Sequence, residues 1–183
     1  AILYADITTD AVICWNSDSP YRGTFDGNGH TLTVSYKGSD NSAYNSEYIA
    51  PFRYVSNATI RHLHTAGTIN NNHKYAAGIV ASVQPNSTVV IDGCRSSMTL
   101  NSGVDGDATN GGFVAVVHDD ANVTFLNCKF DGSFEGANSS HNGGYVGYTN
   151  GPVTIENCLF APANINTKSE GSETWARVGT GSL

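Results

Sequence analysis

Val153-Thr154-Ile155-Glu156-Asn157-Cys158 is the last of four versions of one phrase. The others are Val123-Thr124-Phe125-Leu126-Asn127-Cys128, Val89-Val90-Ile91-Asp92-Gly93-Cys94 and, more loosely, Ala58-Thr59-Ile60-Arg61-His62-Leu63. Each alternates, so its central Ile or Phe and its closing Cys or Leu share one face of a short strand. Self-similarity at a nearly fixed period marks a solenoid, whose repeats bury an apolar face only by stacking on one another.

Aligning Leu32, Ile60, Ile91, Phe125 and Ile155 gives coil-to-coil steps of 28, 31, 34 and 30 residues. Within each coil a later apolar residue follows at 20 (Leu32 to Phe52), 19 (Ile60 to Ile79), 22 (Ile91 to Phe113), 20 (Phe125 to Tyr145) and 20 (Ile155 to Trp175). A middle strand is expected around Ile69, Leu100 and Phe134, each six residues beyond Leu63, Cys94 or Cys128. The sequence therefore predicts an all-β parallel β-helix of about five three-stranded coils over residues 21–183. Residues 1–20 are read as an N-terminal cap, with Cys14 and Trp15 covering the first coil. The residue before the column Cys is Gly93, Asn127 or Asn157, types that tolerate positive φ, so a left-handed bend is expected there. Stacked Asn side chains at that bend could form a ladder.

Cys94, Cys128 and Cys158 occupy one repeat position and should form an interior column. Three equivalent thiols cannot all pair, and disulfide geometry is demanding, so free buried cysteines acting as small hydrophobes are expected. A disulfide between neighbouring coils and a zinc site are the alternatives, the latter poorly served by one ligand per coil.

Twenty glycines beside only nine Lys and Arg suit an all-β chain with many turns. The formal charge of −7 argues against nucleic acid or an anionic membrane surface as partner, because both call for a basic patch. No apolar run approaches the roughly 20 residues of a membrane helix, so membrane insertion is not expected. The start without Met and the abrupt end at Leu183 are read as those of a piece of a longer polypeptide, whose other domains would be partners.

Phe25-Asp26-Gly27-Asn28-Gly29-His30-Thr31-Leu32 carries two strong turn signals between alternating runs. It resembles the opening coil of right-handed parallel β-helix domains in bacterial surface proteins. Gly111-Gly112-Phe113-Val114 and Gly143-Gly144-Tyr145-Val146 resemble the GLUG repeats of the same proteins, with the pair worn to Ala77-Gly78 and Ala50-Pro51 in earlier coils. The resemblance spans about residues 20–160. It implies a right-handed β-helix and an extracellular place on a bacterial cell surface, without implying an activity.

Departures from the repeat fall between the middle and last strands: Ser35 to Glu47, Asn70 to Lys74, Asn101 to Asn110, Glu135 to Asn142 and Thr167 to Glu173. In a solenoid these loops project from one edge and form a composite surface. Tyr36, Tyr44, Tyr48 and Tyr75 are the candidate ligand-binding residues there, since a flat apolar ring beside Asn, Asp and Ser suits a sugar; rings that merely cover the edge are the plainer reading. Asp105 and Asp107, with Asn101 and Asn110, are weak candidates for a hard cation but lack the spacing of a defined calcium loop. No cofactor is expected. His62 and His64 flank inward Leu63, and His64 is level with Arg95 and Lys129, a weakly basic outer row. Asp92 and Glu156 share an outward column with Arg61, but no coil shows the convergent carboxylates of a glycoside hydrolase or lyase. The expected function is a non-catalytic adhesion module recognising host or dietary glycan, or a host surface protein. A structural spacer in a stalk is the alternative, ahead of a β-helix polysaccharide lyase or hydrolase.

Overall fold

Short strands broken every few residues by Asn, Asp and Gly cannot pair within a coil, so their backbone groups must bond to the coils on either side. The computed structural model describes residues 1–37 and 47–168, with the backbone of 175–177. Among the described residues there is no helix, and parallel pairing joins coil to coil in a β-solenoid of about 4 turns.

The first row of strands stacks Tyr21–Asp26, residues 58–61, Thr88–Asp92, Asn122–Leu126 and Val153–Glu156. Its inward column runs Phe25, Ile60, Ile91, Phe125, Ile155. In the second row Thr31–Lys37, His64–Asn71 and Arg95–Ser102 are followed by strands that break in two around Gly132 and Pro162. There Tyr36, Ile69, Leu100, Phe134 and Ile165 are level, so the middle strand falls where the spacing put it. The third row levels Phe52, Val80, Val114 and Val146. Phe113 stacks on Tyr145 at 4.9 Å, and both meet Phe125 edge-on inside the coil.

Two expectations about register need correction. The first-coil equivalent of Ile60 is Phe25, and Leu32 lies level with Thr65 in the second row. Gly27 and Gly29 donate their N–H groups to the carbonyls of Arg61 and His62, so the turn between the alternating runs is the corner of one coil. Two apolar runs of equal alternation flank it, and only stacking tells them apart. At the other end, 175–177 runs antiparallel to Gly143–Thr149 with Trp175 opposite Val146, so it does not continue the parallel rows as a fifth third-row strand.

Residues 1–20 trace a worn coil of their own. Ile2 bridges to Asp26, Ile7–Thr9 pairs with Thr31–Lys37, and Ile13 bridges to Phe52. Leu3, Val12 and Ile13 meet the core, whereas Trp15 is 70% exposed.

The predicted corner is realised: Gly93, Asn127 and Asn157 have φ of 59°, 54° and 51°, and His62 joins them at 49°. Asn157 Nδ2 donates to Asn127 Oδ1 at 2.6 Å, and Asn127 Nδ2 to Asp92 Oδ1 at 2.9 Å. All four cysteines are free, with Cys94 and Cys128 buried and Cys158 half-buried at the end of its column. Burial pushes the Cys94 thiol up to about 12 and the Cys128 thiol higher still. Since the thiolate is the reactive species, Cys94 and Cys128 are expected to resist a disulfide reagent at pH 7 in the folded protein and to react at once in 6 M guanidinium. Fast labelling of Cys128 in the native state, read by mass spectrometry, would contradict the closed column.

Candidate functional site

The edge loops come together because the coils are in register. Tyr48 pairs with Tyr75, Ala76 with Asn110, and Gly111 with Gly143. Extending these registers one residue back from Ala76 and Asn110, and two back from Gly143, puts Tyr48, Tyr75, Thr109 and His141 in a single column, one from each coil. Three of the five expected edge loops, those around Lys74, Asp107 and His141, therefore lie side by side, while most of the first (Ser35 to Glu47) and last (Thr167 to Glu173) lies outside the described residues.

Of the four candidate tyrosines, the structure brings two together. Tyr48 and Tyr75 stack at 4.6 Å with planes 12° apart, and Tyr54 and His118 lie against Tyr48. The pair packs over Ala50, Ala77, Ala81 and Ala115, all fully buried. That packing pushes the Tyr48 phenol up to about 12, chiefly by burial and further by neighbouring Tyr75, Glu47 and Tyr54. Tyr36 is a correction: it belongs to the interior column with Ile69, is fully buried, and donates its hydroxyl to the Ala11 carbonyl at 2.8 Å. Its loop assignment followed from the misplaced first register. Tyr44 lies outside the described residues.

Tyr75 also borders a cavity of about 300 Å³ lined by Lys74, Asp107, Thr109, His141, Gly147 and Tyr148. Lys74 Nζ sits 2.6 Å from Asp107 Oδ2 and 5.4 Å from the centre of the Tyr75 ring. Thr109 donates its hydroxyl to Asp107 Oδ1, and His141 Nδ1 lies 3.8 Å from the same oxygen. Burial acts to raise the Asp107 carboxyl, but the hydrogen bonds from Lys74 and Thr109 outweigh it and hold the group below the usual carboxylate range. Asp107 is therefore ionised at neutral pH. Thr109 has φ 41° and is buried; a β-branched residue in that region is a genuine outlier and accumulates where a site is held in place.

Asp105 and Asp107 turn to different partners. Asp105 faces Lys168 at 3.5 Å while Asp107 is engaged by Lys74. Among the described residues no three His, Cys, Asp or Glu side chains converge for a metal. Asp107 lines the cavity as the partner of Lys74. Lys74, Thr109, His141 and Tyr148 join the candidate residues only through the structure, although three of them lie in loops that depart from the repeat.

The basic outer row is present, with Arg95 level with both His64 and Lys129. It is neutralised in place: Asp131 takes Arg95 at 2.6 Å and Lys129 at 2.9 Å, and Ser97 donates to it as well. Burial, with a smaller contribution from Arg95, lowers the His64 imidazole below its usual value, so it adds no charge at neutral pH. Arg61 is tied to Asp26 at 2.9 Å, and Asp92 accepts from Asn127, so both are engaged in contacts between neighbouring coils. No protein-family model, no curated protein and no solved structure matches this chain.

Proposed function

We propose that this solenoid is a non-catalytic binding module that recognises a glycan at its loop edge. One observation carries the reading: four successive coils deliver Tyr48, Tyr75, Thr109 and His141 to one line, and two tyrosines share a small polar cleft with a Lys–Asp pair. Aromatic faces beside a few fixed donors and acceptors are how concave sites hold and orient a sugar-sized ligand. The GLUG-like repeats and the acidic charge support a place on a bacterial cell surface, among other domains of one polypeptide. Its target there is a host or dietary glycan, or a host surface protein, and nucleic acid is disfavoured by the charge of −7. The carboxylates at Asp26, Asp107 and Asp131 are each tied to a cation, which supports binding over hydrolysis.

The alternative, a spacer, has its own observation. Tyr48 and Tyr75 cover a buried alanine cluster and so have a packing role without any ligand. A glycan-array screen of the intact domain separates the two. Tyr148→Ala, which spares the alanine cluster, is expected to abolish array binding while leaving the melting temperature within a few degrees. Tyr75→Ala is expected to lose both binding and some stability. If the domain retains neither glycan nor host protein above background, the spacer reading gains.

A further inference from the structure

The cleft's charge arrangement narrows the ligand class, an inference that rests on the glycan-binding reading above. We infer that the cavity between Lys74, Asp107 and Tyr148 is a subsite for a single neutral sugar unit, taken through two adjacent hydroxyls bridged by the Lys74–Asp107 pair.

The lining holds one cation and one anion, already in contact at 2.6 Å. A charged ligand has to break that contact or face the like charge. An acidic sugar meets Asp107, whose side chain is 43% exposed and whose carboxyl is ionised. A polyol needs no such exchange. The ammonium of Lys74 has three donors, of which Asp107 takes one and Tyr75 another, leaving one for a sugar oxygen. Asp107 has two oxygens with about four acceptor positions, so it can take a hydroxyl proton while keeping Lys74 and Thr109. Neighbouring hydroxyls can then pair with the two groups at once, one donating and one accepting. Hydrogen bonds to ionised groups are the stronger kind, which suits a small ligand with little apolar area.

Size and preorganisation agree. A cavity of about 300 Å³ lies at the lower end of small-molecule pockets, room for one ring and not for a chain. Thr109 is buried, held at positive φ and bonded to Asp107, so the carboxylate is oriented before any ligand arrives. Such prior ordering removes a cost of binding that a flexible surface carboxylate would incur. Tyr75 and Tyr148 supply the apolar walls.

The test uses the intact domain against immobilised oligosaccharides ending in galactose, glucose or mannose, and against others ending in sialic or uronic acid. Wild type is expected to retain at least one neutral terminus, with little change between 50 and 500 mM NaCl. Lys74→Met and Asp107→Asn should each weaken it tenfold or more, and the double variant should be no weaker than the poorer single, because the two act as one unit. A deoxy analogue of the same sugar, lacking one of the paired hydroxyls, should lose a similar factor on wild type, a readout independent of variant folding. Neutral binding unchanged in both variants would place the site elsewhere and overturn this inference while leaving the binding module intact. Preference for acidic termini lost in Lys74→Met would overturn the neutral class alone. Absence of binding to every glycan would remove both readings.

Discussion

Phe125→Ala is expected to lower the unfolding free energy by about 3–5 kcal/mol, seen as an earlier midpoint in urea. For a chain of this size that corresponds to a fall in melting temperature of roughly 6–20 °C. Phe125 is fully buried as the fourth of five residues in the inward column, level with Ile91 and Ile155. Phe113 and Tyr145 meet its ring edge-on at 5.6 and 5.3 Å. Removing it takes out both the transferred area and two aromatic contacts. Collapse is resisted because parallel ladders hold neighbouring strands about 4.8 Å apart, so the walls cannot close on the void. Ile155→Ala, at the half-buried end of the same column, should cost clearly less. Equal losses for the two would mean that the coils do not stack as separate nearest-neighbour units.

The contrast between Phe125 and Ile155 also shows how far the sequence could be read. Interior columns were legible wherever a coil had a neighbour of the same phrase on each side, as with Ile91 and Phe125. The corner at Asn127 and Asn157 was legible because residue type there reports backbone conformation directly. Legibility failed at the ends. In the first coil, Phe25 and Leu32 alternate equally well, and nothing local says which of them stacks on Ile60; that ambiguity carried Tyr36 from the core to the surface. The same limit explains the cleft. Tyr75 could be picked out as an aromatic in a loop, but Lys74, Thr109 and His141 become neighbours only through exact register across three loops of unequal length. From sequence Asp107 reads as a metal ligand because acidic Asp105 lies two residues away, whereas Lys74, which it meets, is a coil away.

Gly143→Ala is expected to cost about 3 kcal/mol or more, beyond the usual range for one added methyl, and to weaken any ligand held at the cleft. The reason is close approach rather than backbone freedom. A Cβ at Gly143 would fall well inside contact of the Val146 carbonyl oxygen and carbon, and the same holds at Gly111 against Val114. Those carbonyls belong to third-row strands and cannot swing aside without giving up ladder bonds. Gly29→Ala serves as the control. Gly29 has φ 78° and open space where a Cβ would go, so its cost is conformational alone, about 1 kcal/mol. In earlier coils the Gly143 position is filled by Ala50 and Ala77, which pack beneath Tyr48 and Tyr75. The glycines of the later coils thus let the chain turn back tightly just where His141 and Thr109 must reach the cleft. Urea melts of Gly143→Ala and Gly29→Ala decide the point: matched losses would sink the close-approach account. A larger loss at Gly143, with reduced binding, would tie the repeat's most regular feature to the irregular loops it positions.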